Sequence, residues 1–229
     1  MIKGCLKGCL ISFLVVIGVI VLICFSIYNK EKPYYSYENG TWNYVWYSFG
    51  QGGKQISPID VDKDEFRKLR YKNFARDDES VYFKAGKIEG SDPDTFGVIS
   101  TKGRQHYAKD KNFVYIYSDD GGIYRVIGAD PETFEVLDFP YAKDKNDAYN
   151  GCLPLYVDDV NKFEVIEAGG ISKISSIETF LGTAINPEDV AKYNNEKYSF
   201  INSAVLYSDE GKAKTEKLVY EGYMIVEEK

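Results

Sequence analysis

The stretch Tyr107–Tyr117 reads YAKDKNFVYIY, and two other segments of the chain repeat its opening. Phe74 begins the segment FARD, 33 residues earlier, and Tyr141 begins YAKDKN, 34 residues later. Aromatic and apolar residues flank a polar Asp-Lys-Asn centre, which is the pattern of two strands joined by a turn. Asp and Asn favour turns because they tolerate left-handed backbone and bond to nearby amides. The repeat therefore predicts a series of β-hairpins.

A second signature follows each hairpin. Asp92–Phe96 reads DPDTF and Asp130–Phe134 reads DPETF. Asp followed by Pro and an acidic residue predicts a helical start of about one turn, because Asp caps and Pro suits the first position. Asp62–Phe66 and Asp159–Phe163 keep the same spacing of Asp and Phe. We predict that the four phenylalanines that end these segments are equivalent core residues in four repeat units.

The residues that carry this repeat resemble the DKNYY family of bacterial envelope proteins. The resemblance lies in YAKDKNFVYIY with GADPETFEVL, and more loosely in NFARDDESVYF with GSDPDTFGVI. The third copy departs from the pattern, because Asp147-Ala148-Tyr149 replaces the Val-Tyr strand and predicts a frayed or bulged strand. The resemblance implies a repeated fold and a membrane or lipoprotein anchor, and it implies no particular activity.

The N-terminal region predicts a membrane anchor. Cys9–Tyr28 is a run of 20 residues without a charge. A helix of that length spans about 30 Å, the thickness of a bilayer core. No small-residue cleavage site follows the run, so we predict an uncleaved signal anchor. A short head before an N-terminal anchor normally leaves the following domain outside the cytoplasm, so we expect a single-pass membrane protein with its domain on the non-cytoplasmic side.

The predicted fold is mainly β, with an N-terminal transmembrane helix followed by repeated β-hairpin units and a few short helices. The units form either a meander or an incomplete propeller-like array. The predicted segments are a short cytoplasmic head (1–8), the transmembrane anchor (9–28), a linker (29–41), the repeat domain (42–168) and a C-terminal α+β cap or small subdomain (169–229). Within the last segment, capping patterns predict short helices that begin near Ser175 and Asn186.

The charge balance argues against one class of partner. The chain has 35 acidic and 28 basic side chains, a net charge of −7, and no basic run. Nucleic-acid binders usually carry a basic face, so we expect no nucleic-acid partner. The expected partners are the lipid bilayer, through the anchor, and an envelope protein or polymer.

The sequence predicts no catalytic, cofactor-binding or metal-binding residues, and no cofactor. His106 is the single histidine, and no nucleophile motif accompanies it. Cys152 is the single cysteine beyond the anchor, so no internal disulfide forms there, and a packing role is favoured over a reactive thiol. Asp60–Asp64 resembles the start of a calcium loop, but Gly and Glu are missing from the positions that the loop requires.

The prediction of a binding surface rests on the 20 tyrosines of the chain. Tyr115 and Tyr117 share one face of a strand, because alternate residues point the same way, and Tyr82 lies in the matching strand of an earlier unit. Tyrosine is a frequent anchor in binding surfaces, so these three residues form the predicted binding surface, with ordinary sheet packing as the alternative. We expect a membrane-anchored envelope protein with a non-catalytic binding or scaffolding domain. The alternative is an envelope hydrolase whose carboxylates the sequence does not identify.

Overall fold

The structure, a computed structural model, describes residues 13–21, 33–48, 50–100, 105–119, 121–183 and 204–228. These residues are mainly β, in many small antiparallel sheets, with two helices. The first helix, α1, covers residues 13–21, inside the predicted anchor. The predicted head, the two ends of the anchor and the helix predicted from Asn186 lie outside the described residues. No helix in the described ranges is both long and apolar enough to cross a membrane.

Four small antiparallel sheets follow one another along the chain, and each is a meander. Sheet I contains β1 (Tyr34–Glu38), β2 (Thr41–Ser48) and β3 (Gly53–Ile59). Sheet II contains β4 (Arg67–Lys68), β5 (Phe74–Arg76), β6 (Val81–Phe83) and β7 (Gly86–Ile88). Sheet III contains β8 (Gly97–Ser100), β9 (His106–Lys109), β10 (Val114–Tyr117) and β11 (Ile123–Arg125). Sheet IV contains β12 (Glu135–Val136), β13 (Tyr141–Lys143), β14 (Ala148–Asn150) and β15 (Leu153–Pro154).

A fifth sheet is assembled from two separate segments. Sheet V contains, in order, β16 (Glu164–Glu167), β19 (Lys212–Lys214), β20 (Leu218–Glu221) and β21 (Met224–Glu228). The inserted unit between β16 and β19 contains β17 (Lys173–Ser176), helix α2 (Ile177–Thr183) and β18 (Ala204–Tyr207). This unit packs on sheets III and IV, because the Cys152 amide donates to the Leu206 carbonyl at 2.8 Å and Phe180 enters their core.

Sheet V carries the same local pattern as the earlier sheets. Lys212-Ala213-Lys214-Thr215 follows the register of YAKD, with Thr in the place of Asp. Thr215 Oγ1 accepts the amide of Leu218 at 3.1 Å, and Tyr220, five residues after Thr215, is fully buried. Much of the segment predicted as a C-terminal cap therefore belongs to the fourth predicted repeat unit, which begins at Asp159–Phe163 and carries an insertion, and the repeat continues beyond residue 168.

Successive sheets stack face to face, and a hydrophobic cluster fills each of the four interfaces. From the first interface to the last, representative pairs are Tyr44 and Tyr82, Phe83 and Tyr117, Ile116 and Tyr149, and Tyr141 and Tyr220. The inner sheets are covered on both faces. No hydrophobic cluster among the described residues joins sheet I to sheet V, so the sheets form an open array in which each unit packs on its neighbours.

The four predicted core phenylalanines are equivalent in the structure. Phe66, Phe96, Phe134 and Phe163 each stand just before the first strand of a sheet and pack at the interface with the preceding sheet. Three of them are buried, and Phe96 is half-buried. The Asp-x-x-x-Phe register read from the sequence is therefore correct.

An aspartate and a tyrosine five residues later fasten the central hairpin of three sheets. In sheet III, Asp110 Oδ1 accepts the amides of Asn112 and Phe113 at 2.7 and 2.8 Å. Asp110 Oδ2 accepts the hydroxyl of Tyr115 at 2.8 Å. The equivalent hydroxyl bonds join Tyr82 to Asp77 at 2.6 Å and Tyr149 to Asp144 at 2.8 Å. Burial and the adjacent carboxylate raise the pKa of these tyrosines, so their hydroxyls stay protonated and continue to donate.

The Asp-Pro turn and the hairpin turn of one sheet are joined by polar contacts. Lys111 Nζ lies 2.5 Å from Asp92 Oδ2, and the Asp92 amide donates to Asp110 Oδ2 at 3.0 Å. Lys145 pairs with Asp130 in the same way in sheet IV. Contacts also cross to the next sheet, where Lys109 Nζ donates to the Pro131 carbonyl at 2.6 Å. The constant spacing of the repeat thus places these residues to make contacts both within one sheet and between neighbouring sheets.

Two details of the predicted organisation differ from the structure. Strand β1 lies within the predicted linker and pairs with β2 from Tyr34 to Glu38. The third repeat copy, predicted to be frayed or bulged, forms the regular strand β14, whose Ala148 and Tyr149 are buried. The irregular residue Asp147 lies just outside this strand, which explains why the strand is undisturbed.

Candidate functional site

A cleft opens where the first strands of sheets III, IV and V lie side by side. Its volume is about 760 Å³, within the range of ligand-binding pockets. Its walls include Ile99 from sheet III, Val136 and Leu137 from sheet IV, and Val165 from sheet V. The cleft therefore draws on three successive repeats.

The same strand of three successive repeats builds this cleft. The lining strands follow the core phenylalanines in the segments FGVI (96–99), FEVL (134–137) and FEVI (163–166). Each phenylalanine fixes the start of its strand at the interface with the preceding sheet. The lining residues stand two or three positions after each phenylalanine: Ile99 in sheet III, Val136 and Leu137 in sheet IV, and Val165 in sheet V. The repeat thus generates a surface to which each sheet contributes the same strand.

The base of the cleft is apolar. Phe134 and Phe163 line it and are 8% and 3% exposed, so they close it from below. Val136, Leu137 and Val165 are half-buried around them. Ile99 stands at the rim with 40% of its surface exposed. An apolar ligand group would gain burial here without any change in the core.

Two carboxylates give the mouth of the cleft a negative charge. Asp138 and Glu164 line the cleft and are exposed. Glu164 Oε2 lies 3.3 Å from Lys214 Nζ. Asp138 makes no ion pair with any residue that the structure describes. The cleft therefore presents an apolar base below an acidic mouth.

One backbone edge faces the cleft. Strand β12 is the edge strand of sheet IV and pairs only with β13 among the described strands. The Leu137 amide donates to the Tyr141 carbonyl at 3.2 Å, so the backbone N–H of Leu137 points towards β13. Neighbouring residues of an antiparallel strand alternate in direction, so Val136 directs its N–H and C=O towards the open edge. An open edge offers backbone donors and acceptors to a further strand.

The prediction that three tyrosines form an exposed binding surface is wrong. Tyr82, Tyr115 and Tyr117 are 4%, 0% and 3% exposed, respectively. Tyr82 packs between sheets I and II, and the other two pack between sheets II and III. Sheets II and III are each covered on both faces, so the face opposite Val114 and Ile116 meets a neighbouring sheet rather than solvent. A strand without polar alternation, such as VYIY, is typical of that environment.

His106 and Cys152 occupy structural positions. His106 lies in β9, is half-buried, and has its ring centroid 5.2 Å from that of Tyr117. Cys152 is fully buried, and its Sγ accepts the amide of Leu206 at 3.2 Å. Burial raises the pKa of the Cys152 thiol to about 12, so the thiol is protonated at neutral pH. A reactive role for this cysteine is not supported.

The described residues contain no group of three or more His, Cys, Asp or Glu side chains placed to hold a metal ion. In the segment that resembles a calcium loop, Asp62 Oδ1 accepts the amide of Asp64 at 2.9 Å, which is a turn contact. Among the described residues, Glu164 forms an ion pair with Lys214 and Asp138 forms none. Nothing in the described part of the cleft separates a proton donor from a proton acceptor around a common point.

Asp147 is a half-buried carboxyl that fixes the chain after β15. Its oxygens accept the amides of Tyr156 and Val157, each at 3.0 Å, and the amide of Ala148 at 2.8 Å. Burial raises the pKa of Asp147 to about 6, against the opposite effect of these amides, and the nearby Asp144 adds to the rise. The contact is therefore proton-dependent in a mildly acidic range.

Sequence reasoning missed the cleft residues, although a signal for them exists. The motif Phe-Gly/Glu-Val-Ile/Leu occurs three times at the same place in the repeat. Those apolar residues resemble ordinary core positions, and only the stacking order shows that they meet at an open edge. The tyrosines, which are far more numerous, drew the functional prediction instead.

The comparisons with known proteins agree with this repeated architecture. The DKNYY family profile matches the chain twice, over residues 14–119 and 114–229. Each match contains stacked sheets and at least one Asp–Tyr hairpin, and together the matches reach from α1 to the end of the chain. No curated protein and no solved structure matches the chain. The aspartates, lysines and tyrosines that repeat along this sequence therefore identify the chain as a member of the DKNYY family.

Proposed function

We propose that this chain is a membrane-anchored envelope protein whose stacked sheets bind a partner without catalysis. The observation that carries the proposal is the cleft of about 760 Å³, with its apolar base and acidic mouth. Its volume lies within the range of ligand-binding pockets. The cleft is lined by the first strands of three repeats, so the same strands form both the scaffold and the site.

The anchor in this proposal is the uncharged segment Cys9–Tyr28. It is supported by its length, by its lack of charged residues, and by the resemblance to an envelope family. The lipid bilayer is then the first partner of the chain, and the stacked sheets lie on the non-cytoplasmic side. The second partner is an envelope protein or polymer that enters the cleft.

The charge of the site supports an envelope partner over a nucleic acid. The carboxylates of Asp138 and Glu164 line the cleft, and the chain carries a net charge of −7. A phosphate backbone would be repelled from such a surface. The alternative function, an envelope hydrolase, lacks a supporting observation, because Glu164 is paired with Lys214 and Asp138 stands in open solvent.

Cysteine protection in cells tests both the site and the topology. Cys5, Cys9 and Cys24 are replaced by Ser, Cys152 remains as a buried thiol, and one new cysteine is introduced as Ile99→Cys. Ile56→Cys is the matched control, because Ile56 is 51% exposed on sheet I, away from the cleft. A membrane-impermeant maleimide is applied to intact cells and to the purified chain.

We expect the Ile56→Cys chain to be labelled equally in both samples, which supports the non-cytoplasmic placement. The Ile99→Cys chain should be labelled severalfold more slowly in cells than after purification, because a partner covers the cleft. Equal labelling of the two cysteines in cells would contradict occupancy of the cleft. Labelling of neither cysteine until the cells are permeabilised would contradict the proposed topology.

A further inference from the structure

We propose that the occupant of the cleft is an extended peptide segment with basic side chains, which adds as a strand to the open edge of β12. This inference rests on the binding function proposed above and names the class of its ligand. Three features support it: a backbone edge that pairs with no further described strand, an apolar base beside that edge, and a carboxylate without an ion-pair partner among the described residues. Each feature restricts the ligand in a different way.

The backbone edge selects an extended polypeptide. Val136 directs its N–H and C=O away from β13, and its side chain lines the cleft. A peptide that lies along this edge can exchange main-chain hydrogen bonds with it, as in other complexes formed by strand addition. A glycan chain lacks the regular spacing of amide donors and carbonyl acceptors that such an edge matches. The edge therefore favours a protein partner over a glycan polymer.

The base of the cleft selects apolar side chains at alternate positions. In an added strand, every second side chain points to the same face. Side chains on one face would rest on Leu137 and Val165, above the buried rings of Phe134 and Phe163. Because these groups are already fixed by the stacked core, the peptide alone would lose conformational freedom on binding.

The charge of the mouth selects basic side chains. Asp138 lies directly after the exposed edge and has no ion-pair partner among the described residues. Glu164 is paired with Lys214, but both side chains are largely exposed, so that pair is weak and can be exchanged. Among the described residues, no basic side chain lines the cleft. Lysine or arginine in the peptide would supply the missing charge and speed the encounter.

The test uses the full chain in lipid nanodiscs and the probe peptide acetyl-Lys-Val-Lys-Val-Lys-Val-amide. Two modified copies carry N-methyl groups on either the valines or the lysines. An added strand uses the amides of one edge only. We expect one methylated copy to lose at least tenfold in affinity and the other to bind like the parent peptide. Equal affinity of all three peptides would overturn strand addition.

Protein variants test the same contacts from the other side. Val136→Pro removes the outward amide without touching the pairing with β13, and Val136→Ala keeps that amide as the matched control. We expect at least tenfold weaker binding for the proline variant than for the alanine variant. Asp138→Asn should weaken binding severalfold, and the effect should fade at high salt. If Glu-Val peptides bind as tightly as Lys-Val peptides, the charge argument is wrong.

The peptide class and the binding function fail in different ways. If no peptide binds, yet the Ile99→Cys chain remains protected in cells, the peptide inference is wrong while the cleft is still a binding site. Protection that survives protease treatment of the cell surface would then point to a polymer. If neither peptide binding nor protection is observed, both proposals are wrong.

Discussion

The hydroxyl of Tyr115 donates a hydrogen bond to Asp110 Oδ2 at 2.8 Å, deep between sheets II and III. The same carboxylate accepts two amides of its own turn, and its Oδ2 also accepts the amide of Asp92. One aspartate therefore satisfies a buried tyrosine, a hairpin turn and the turn that begins the sheet. The bond recurs in the sheets on either side, which explains why Asp and Tyr keep a fixed spacing in the repeat.

Removing the Tyr115 hydroxyl should destabilise the stack. Tyr115→Phe leaves Asp110 Oδ2 without one of its donors, and hydrogen bonds to charged groups contribute roughly 1.5–3 kcal/mol. We expect a loss of that order in the free energy of unfolding, measured by urea denaturation. Tyr117→Phe is the control, since its hydroxyl bonds to no described residue, and it should change stability by less than about 0.5 kcal/mol. Equal losses of stability in the two variants would contradict a stabilising role for the hydrogen bond between Tyr115 and Asp110.

The core phenylalanine of sheet IV should be important for stability. Phe134 is 8% exposed and packs with Tyr107 and Tyr149. Phe134→Ala should cost about 3–5 kcal/mol in the free energy of unfolding, as for other buried aromatic residues. Phe96→Ala, at the half-buried equivalent position, should cost less. A loss below about 0.5 kcal/mol for Phe134→Ala would contradict the proposed equivalence of the repeat units.

The stability of sheet IV should depend on the protonation of Asp147. Its folded-state pKa of about 6 lies above the ordinary value of 3.8, so the folded state binds the proton more tightly. This contribution to stability is fully present below about pH 4 and is lost as the pH rises through 6. Asp147→Asn removes the titration, so the difference in stability between the parent and the variant should shift by on the order of 2 kcal/mol between pH 4 and 7.

Chemical denaturation at a series of pH values measures this difference. The other perturbed aspartates, among them Asp92 and Asp130, have lowered pKa values and act in the opposite direction at more acidic pH. They are present in both proteins and cancel in the comparison. A parent and a variant with parallel pH profiles between 4 and 7 would show that Asp147 is not the titrating group.

The local fold was largely predictable, because its signals are short-range. Asp, Asn and Pro mark the turns, and the spacing from Asp92 to Phe96 marks the position that reaches the core. The continuation of the fourth repeat unit beyond residue 168 was missed for two reasons. Thr215 replaces the aspartate, and a long insertion separates β16 from β19, so the repeat is interrupted in the sequence although these strands pair in sheet V.

The site was not predictable, because it depends on the stacking order of the sheets. A strand such as VYIY indicates a sheet, but it does not reveal that a neighbouring sheet covers each face. Tyr115 therefore resembled a surface anchor although it is fully buried. Conversely, the segment FEVL indicates only a strand, and the place of Leu137 in the cleft follows from the packing of three sheets.

Photocrosslinking from the cleft in living cells tests the central claim most directly. A benzoylphenylalanine residue replaces Ile99, and in a control chain it replaces Ile56, which is similarly exposed but lies on sheet I. The account predicts one discrete crosslinked species from position 99 and none of that mass from position 56. It also predicts that Leu137→Arg, which places a charge over the apolar base, abolishes the species while the chain remains folded. A crosslinked species that persists in the Leu137→Arg chain, or that forms equally well from position 56, would contradict the claim that this cleft is the binding site.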